Sequence, residues 1–330
     1  ADVKLRLLIV PFVSSLPLAR PVGSLALIGA LTFFWGANWP FMKMALSEIP
    51  VWWFRSFCLF GGGTALMSIA WLSGQVIRLR RDEVTPLLAC TLFNVIGWHL
   101  LTGYGVSHMP AGRAVIIAFT MPVWASIMSS FVLHEPLTRN KVISLVLGIS
   151  ALAVLVGPDL LVFETAPLGA FLMLGAAVSW AIGTVSFKRP NWSTSVSALA
   201  GWQLLLGGIP IALGAVFIEQ PLIATEISSK AWWSLGYVVV FPMIFCQWAY
   251  FRTVRTFPAS LAAISTLGIP VVGAYSSALI LGESLGMREF VALVLVCMAL
   301  GSVLLLPTLK GKSKRHNPSV SSSRGQSRSR

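Results

Sequence analysis

The stretch Phe33–Lys43, FFWGANWPFMK, sets two tryptophans, an asparagine, a proline and a lysine inside a run otherwise apolar enough to cross a bilayer. Thr32, Trp35, Asn38, Trp39 and Met42 follow an i, i+3, i+4, i+7 spacing and so share one helical face. An asparagine facing lipid is costly, so this face is expected to turn inward. Its amide would then serve an amino or carboxylate group, and its indoles would form an apolar wall. Pro40 is expected to loosen the backbone beside them. Further polar residues within apolar runs are Asn94, His99, Tyr104, Tyr237, Gln247 and Ser265, with Trp124 and Trp180 among the deeper indoles. Together these make the expected set of substrate contacts, with interhelical hydrogen bonding as the competing role for each polar member. Arg55 is read as glue to a helix-end carbonyl or to Glu48, or as a gate residue drawing in a carboxylate. Pro122 and Pro270 are expected hinges. Lys43, near a helix end, is read as snorkelling.

Other chemistries find little support. All eleven acidic residues fall at helix ends, in loops or near the amino terminus. The mid-span carboxylate on which many proton-coupled carriers depend is therefore missing. A lone His99 is more simply a core residue than a relay. HExxH, a phosphate-binding glycine loop and CxxC are absent from the sequence, so neither an enzyme, a cofactor nor a bound metal is expected. His134 with Glu135 is the one close pair that a lipid head-group enzyme could use. Cys58, Cys90, Cys246 and Cys297 lie within apolar runs as small core residues, not disulfides.

The elements that must position these residues are membrane helices. Of 330 residues, 56% are hydrophobic and 11% charged, against roughly 25% charged in soluble domains. Ten spans are expected, over 22–46, 50–73, 85–106, 111–133, 140–156, 168–187, 195–217, 232–251, 259–281 and 287–306. The runs are continuous and lack the alternation of a barrel, so the fold class is all-α and polytopic. The net charge of +13 is strongly sided: nineteen basic residues fall on the amino-terminal side of the membrane and four on the other. That bias places both termini in the cytoplasm. Residues 1–21 are expected to form an interfacial arm, since a cleaved signal peptide would conflict with the inside charge. The basic tail, 307–330, is expected to be disordered and to meet anionic lipid rather than nucleic acid. The expected partners are membrane lipids and a small-molecule substrate, and a monomer suffices.

The halves resemble each other. MPAGRAVIIAFTMPVW at 109–124 matches FPASLAAISTLGIPVV at 257–272 with a shift of 148, which also carries Glu135 onto Glu283. Trp35 and Lys43 fall on Trp180 and Lys188 with a shift of 145. Five spans per half invert the second repeat, so residues 22–156 and 168–306 are expected as inverted domains joined by an external linker, 157–167. Such repeats support alternating access to a site near the midplane.

The motif Trp35-Gly36-x-Asn38-Trp39, followed by Lys43 and Leu46, resembles the opening of an EamA domain of the drug/metabolite transporter superfamily. Pro50 with Arg55, and the stretch from Pro110 through Arg113, Pro122 and Glu135 to Gly148, resemble its later helices. The second half departs from that pattern, with Gly183 at the place of Asn38 and no arginine answering Arg55. The aromatic load is most similar to the YddG-type exporters of aromatic amino acids. The resemblance implies an exporter of the bacterial inner membrane. From the residues, the expected cargo is a small amphiphilic metabolite, foremost a neutral or aromatic amino acid, moved without an obligatory proton. Cationic drugs or purines form the alternative cargo.

Overall fold

In the computed structural model, residues 21–134, 138–161, 168–188, 190–249 and 259–304 are described. The amino-terminal arm, most of the 157–167 linker, Glu135 and the basic tail lie outside them. Regular structure among the described residues is helical throughout. The chain runs α1 (Pro21–Gly36), α2 (Asn38–Leu46), α3 (Val51–Leu72) and α4 (Arg81–Cys90), then a π-helical turn Thr91–Gly97 and α5 (Trp98–Ser107). It continues through α6 (Ala111–Ala118), α7 (Met121–Val132), α8 (Arg139–Leu161), α9 (Leu168–Phe187) and α10 (Val196–Phe217). After α11 (Ser229–Val238) comes a second π segment, Val239–Cys246, then α12 (Ala259–Leu281) and α13 (Met287–Leu304).

Five helical stretches, Arg81–Ser107, Ala111–Val132, Leu168–Phe187, Val196–Phe217 and Ser229–Ala249, are long and apolar enough to cross a membrane by length and composition. Large apolar side chains point outward from the bundle, Phe217 at 81% exposure and Leu279 at 85% among them. In water that would be an aggregation surface, whereas in hydrocarbon it is the ordinary outer face of a polytopic protein.

The helices pair along their lengths. α3 lies on α10 and α8 on α13, as two flanking pairs. Between them α1 packs on α12, α2 on α11, α5 on α9, and α6 on α9 and α12. The element starts recur: Val51 and Val196 are 145 apart, while Arg81 and Ser229, Thr91 and Val239, Ala111 and Ala259, and Arg139 and Met287 are each 148 apart. Both π segments thus fall at the same place in each half. Hydropathy patterns are blind to that feature, and continuous helices were expected there.

Carboxylates at the helix ends satisfy the N–H groups that a helix leaves unbonded in its first turn, where the dipole also favours negative charge. Glu219 accepts from the Trp52 and Trp53 N–H groups at the start of α3. Glu283 accepts from Ala111 and Gly112 at the start of α6. Glu48 accepts from the Ser228 N–H and hydroxyl ahead of α11, and Glu83 from the Ser193 and Thr194 N–H groups ahead of α10. Burial raises the Glu219 carboxyl above its ordinary value, against the pull of the three N–H groups of Trp52, Trp53 and Val51. The hydroxyl and N–H of Ser228 hold Glu48 below its ordinary value. Lys43 corrects the snorkelling expectation, because its Nζ donates to the carbonyls of Val106, Ser107 and Met109 and closes the end of α5.

Candidate substrate site

The first apolar run is broken where Asn38 stands. α1 ends at Gly36, Ala37 forms a turn, and α2 restarts at Asn38, which puts Pro40 in the first turn, where a missing N–H is tolerated. The bend therefore precedes Pro40. Pro122 falls likewise near the start of α7 after a break at Phe119–Thr120. Its expected partner Pro270 instead lies inside the unbroken α12, so the two matched prolines are not equivalent.

Trp39 and Met42 are buried, Trp39 against Gly273 of α12. The Asn38 Oδ1 is buried with no hydrogen-bond partner, as are Asn94 Oδ1 and His99 Nδ1. Buried polar atoms almost always find a partner, so each of these asks for one. Asn94 belongs to the first π segment and lies over Gly183 of α9, where any side chain would collide with the Asn94 amide. One turn on, Trp98 and Trp180 meet across the same seam with ring centroids 5.0 Å apart at 58°. Ser179 donates to the Phe93 carbonyl at 2.8 Å, and a side chain at Gly97 would strike the Ser179 hydroxyl. Asn94, Trp98 and Trp180 keep part of their surface exposed on elements that pack against one another, and Trp35 on α1 is likewise partly exposed.

Other expected contacts are already engaged. The Tyr237 hydroxyl donates to the Phe34 carbonyl and its ring stacks on Phe41 at 4.0 Å. Tyr104 accepts from the Trp52 indole at 2.8 Å near the start of α3, and the Trp124 indole donates to Thr120 in its own helix. Gln247 is half-buried beyond the second π segment. The Ser265 side chain lies outside the described residues. Arg55 does not meet Glu48; its Nε donates to the His99 carbonyl at 2.8 Å, and its Nη2 donates to Thr102 Oγ1. His134, exposed, is one half of the lipid-enzyme pair whose other half, Glu135, is not described.

What the arrangement offers is an aromatic wall with amide oxygens and an imidazole in need of donors or acceptors, and no carboxylate among the described residues beside them. The Asn94–Gly183 contact was foreshadowed in the sequence only by the glycine standing at the asparagine's place. Met42 was read only as part of the inward face of the first span, and Thr102, which also holds Arg55, was not singled out.

The profile of the EamA-like transporter family matches twice, over residues 22–157 and 167–306. The uncharacterized transporter YvbV of Bacillus subtilis is 29% identical over 271 residues, covering 82% of this chain and 88% of its own. A probable amino-acid metabolite efflux pump of Salmonella typhimurium is 25% identical over 291 residues, covering 86% and 94%. A solved structure, described only as a crystal structure of a protein, superposes with a TM-score of 0.63 at 16% identity, over 88% of this chain and 99% of that one. The last is a likeness of fold.

Proposed function

This chain belongs to the EamA-like transporter family, and from that premise we propose that it exports small amphiphilic metabolites, foremost neutral and aromatic amino acids, in the manner of a YddG-type carrier. In this reading ten spans form two inverted five-helix repeats in a bacterial inner membrane, both termini are cytoplasmic, and one polypeptide suffices. The repeats rock about a midplane site and open it alternately to each side. The recurrence of element starts and of both π segments at fixed offsets supports the repeat, and the charge asymmetry supports the orientation.

The observation that carries the substrate class is the α5–α9 seam. There the paired Trp98 and Trp180 rings adjoin the unpartnered Asn94 amide, giving an apolar surface with a hydrogen-bonding group one turn away. Relatives named as amino-acid metabolite efflux pumps point to the same class. Cationic drugs suit an aromatic pocket. They fit less well beside the buried cation Arg55.

Counterflow into liposomes holding the purified protein, run with all twenty amino acids, tests the reading. Phenylalanine, tryptophan and small neutral amino acids are expected to exchange, and an imposed pH gradient to leave their final level unchanged. Exchange of purines or amines with no amino acid exchanging would reject it.

A further inference from the structure

Arg55 carries a charge that nothing in the described chain matches. It is 2% exposed, and its neighbours are the His99 carbonyl, Thr102 Oγ1, Met42 Sδ at 3.0 Å and the Phe54 ring, whose centroid lies 5.1 Å from Cζ. All four are neutral. Glu48 is bonded to Ser228 and Glu219 to the first N–H groups of α3, so neither reaches the guanidinium. No described residue accepts from its Nη1. A guanidinium does not deprotonate in a protein, and a buried charge without a counter-ion is among the costliest things a fold can hold. Within a membrane protein such a charge marks a ligand path.

Two more unmet groups lie on the helices that hold it. His99, whose carbonyl holds Nε of Arg55, keeps its Nδ1 buried and unpartnered. Met42, which touches Nη2, is one helical turn along α2 from Asn38, whose Oδ1 is likewise buried and unpartnered. A cation and a ring nitrogen able to carry a proton suit an anion; an amide oxygen suits an ammonium. An ammonium and a carboxylate on adjacent carbons present both charges within one small ligand.

We infer that Arg55 and His99 bind the carboxylate, and Asn38 the ammonium, of a zwitterionic α-amino acid where α2, α3 and α5 meet. This rests on the exporter reading and narrows it: the zwitterion is what the site selects, and the indoles only bias the side chain. Substrate entry supplies Arg55 with its missing counter-ion, so binding relieves a cost that the empty protein bears.

The test uses labelled phenylalanine counterflow in liposomes, with phenylalanine, its methyl ester, phenethylamine and 3-phenylpropionate as competitors. In the unaltered protein phenylalanine is expected to compete at a concentration at least about tenfold lower than each of the others, the loss of one hydrogen bond to a charged group. Arg55→Gln is expected to close the gap to the ester to within about twofold, and Asn38→Leu the gap to 3-phenylpropionate. An unaltered protein that takes the ester or the amine as readily as phenylalanine overturns the site, whether or not Arg55→Gln folds. Counterflow that persists with such indifference overturns this site alone. Counterflow of no amino acid removes the exporter reading and the site together.

Discussion

The seam of α1 and α2 against α11 and the second π segment, and the seam of α9 against α4, the first π segment and α5, occupy corresponding places in the sequence of the two halves, yet they are filled differently. In the first, Phe34 stacks on Phe241 at 4.3 Å and meets Phe245 edge-on at 5.6 Å, while Phe41 stacks on Tyr237. With offsets of 145 and 148, Phe34 corresponds to Ser179, Phe245 to Gly97 and Phe241 to Phe93. Of the three ring places the second seam keeps only Phe93, whose backbone carbonyl accepts from the Ser179 hydroxyl. The polar residue has also changed sides. Asn38 on α2 has Gly183 as its counterpart, and Asn94, the counterpart of Pro242, fills the space beside that glycine. The halves share the spacing of their elements but not the chemistry at these places. Three interleaved rings fill the first seam at these places, whereas the second holds a serine, a glycine and the Asn94 amide there, with the Trp98–Trp180 pair one turn on.

The largest expected effect tests the first seam. Phe34→Ala removes a ring in contact with Tyr237, Phe241 and Phe245, and is expected to lower stability by about 3 kcal/mol or more, read as a fall in Tm in detergent. Ser179→Ala at the corresponding place loses one hydroxyl bond, about 1 kcal/mol. Equal losses would end the contrast. Next in size, Gly183→Ala drives a methyl into the Asn94 amide and is expected to cost about 1–3 kcal/mol. Pairing it with Asn94→Gly should recover most of that loss, and a double-mutant cycle showing additivity would mean the two residues do not touch. Asn94→Ala alone removes a buried unsatisfied oxygen, so Tm is expected to hold or rise while apparent substrate affinity falls about tenfold. Unchanged affinity would take Asn94 out of the site.

The smallest effect concerns the ties at the helix ends, where a carboxylate has also changed sides. Glu48 corresponds to Ser193, and Ser228 to Arg80, so one tie has its acid ahead of α3 and the other has Glu83 on α4. Ser228 holds Glu48 below the ordinary carboxylate value of 4.5, so the stabilisation is complete above that pH and fades as acid carries the group through its lower folded value. Glu48→Gln is expected to flatten a shallow fall of Tm below pH 4.5. An unaltered pH profile would show that this exposed tie contributes nothing.

Much of this frame was legible beforehand. Pro50, Pro110 and Gly282 mark ends that the helices respect, since a proline cannot continue a ladder and Gly282 adopts a φ of +69° after α12. Placing every acid at an end anticipated the capping carboxylates. The π segments stayed hidden because an i→i+5 turn leaves the apolar pattern intact. The surroundings of Arg55 stayed hidden because Met42, His99 and Thr102 come from two other helices, and a sequence names neighbours only along its own. Tyr237 and Tyr104 stand out in a list of polar residues, but the sequence does not show that the first hydroxyl donates to the Phe34 carbonyl and the second accepts from the Trp52 indole.

The proposed export reading needs the two halves to lie upside down to each other in the membrane. Ser107→Cys and Arg255→Cys, 148 residues apart, put one thiol at each matched place. In intact cells an impermeant maleimide is expected to label the first at once and the second only after permeabilisation. Labelling of both from the same side would contradict the inverted arrangement, and with it the alternating-access export built upon it.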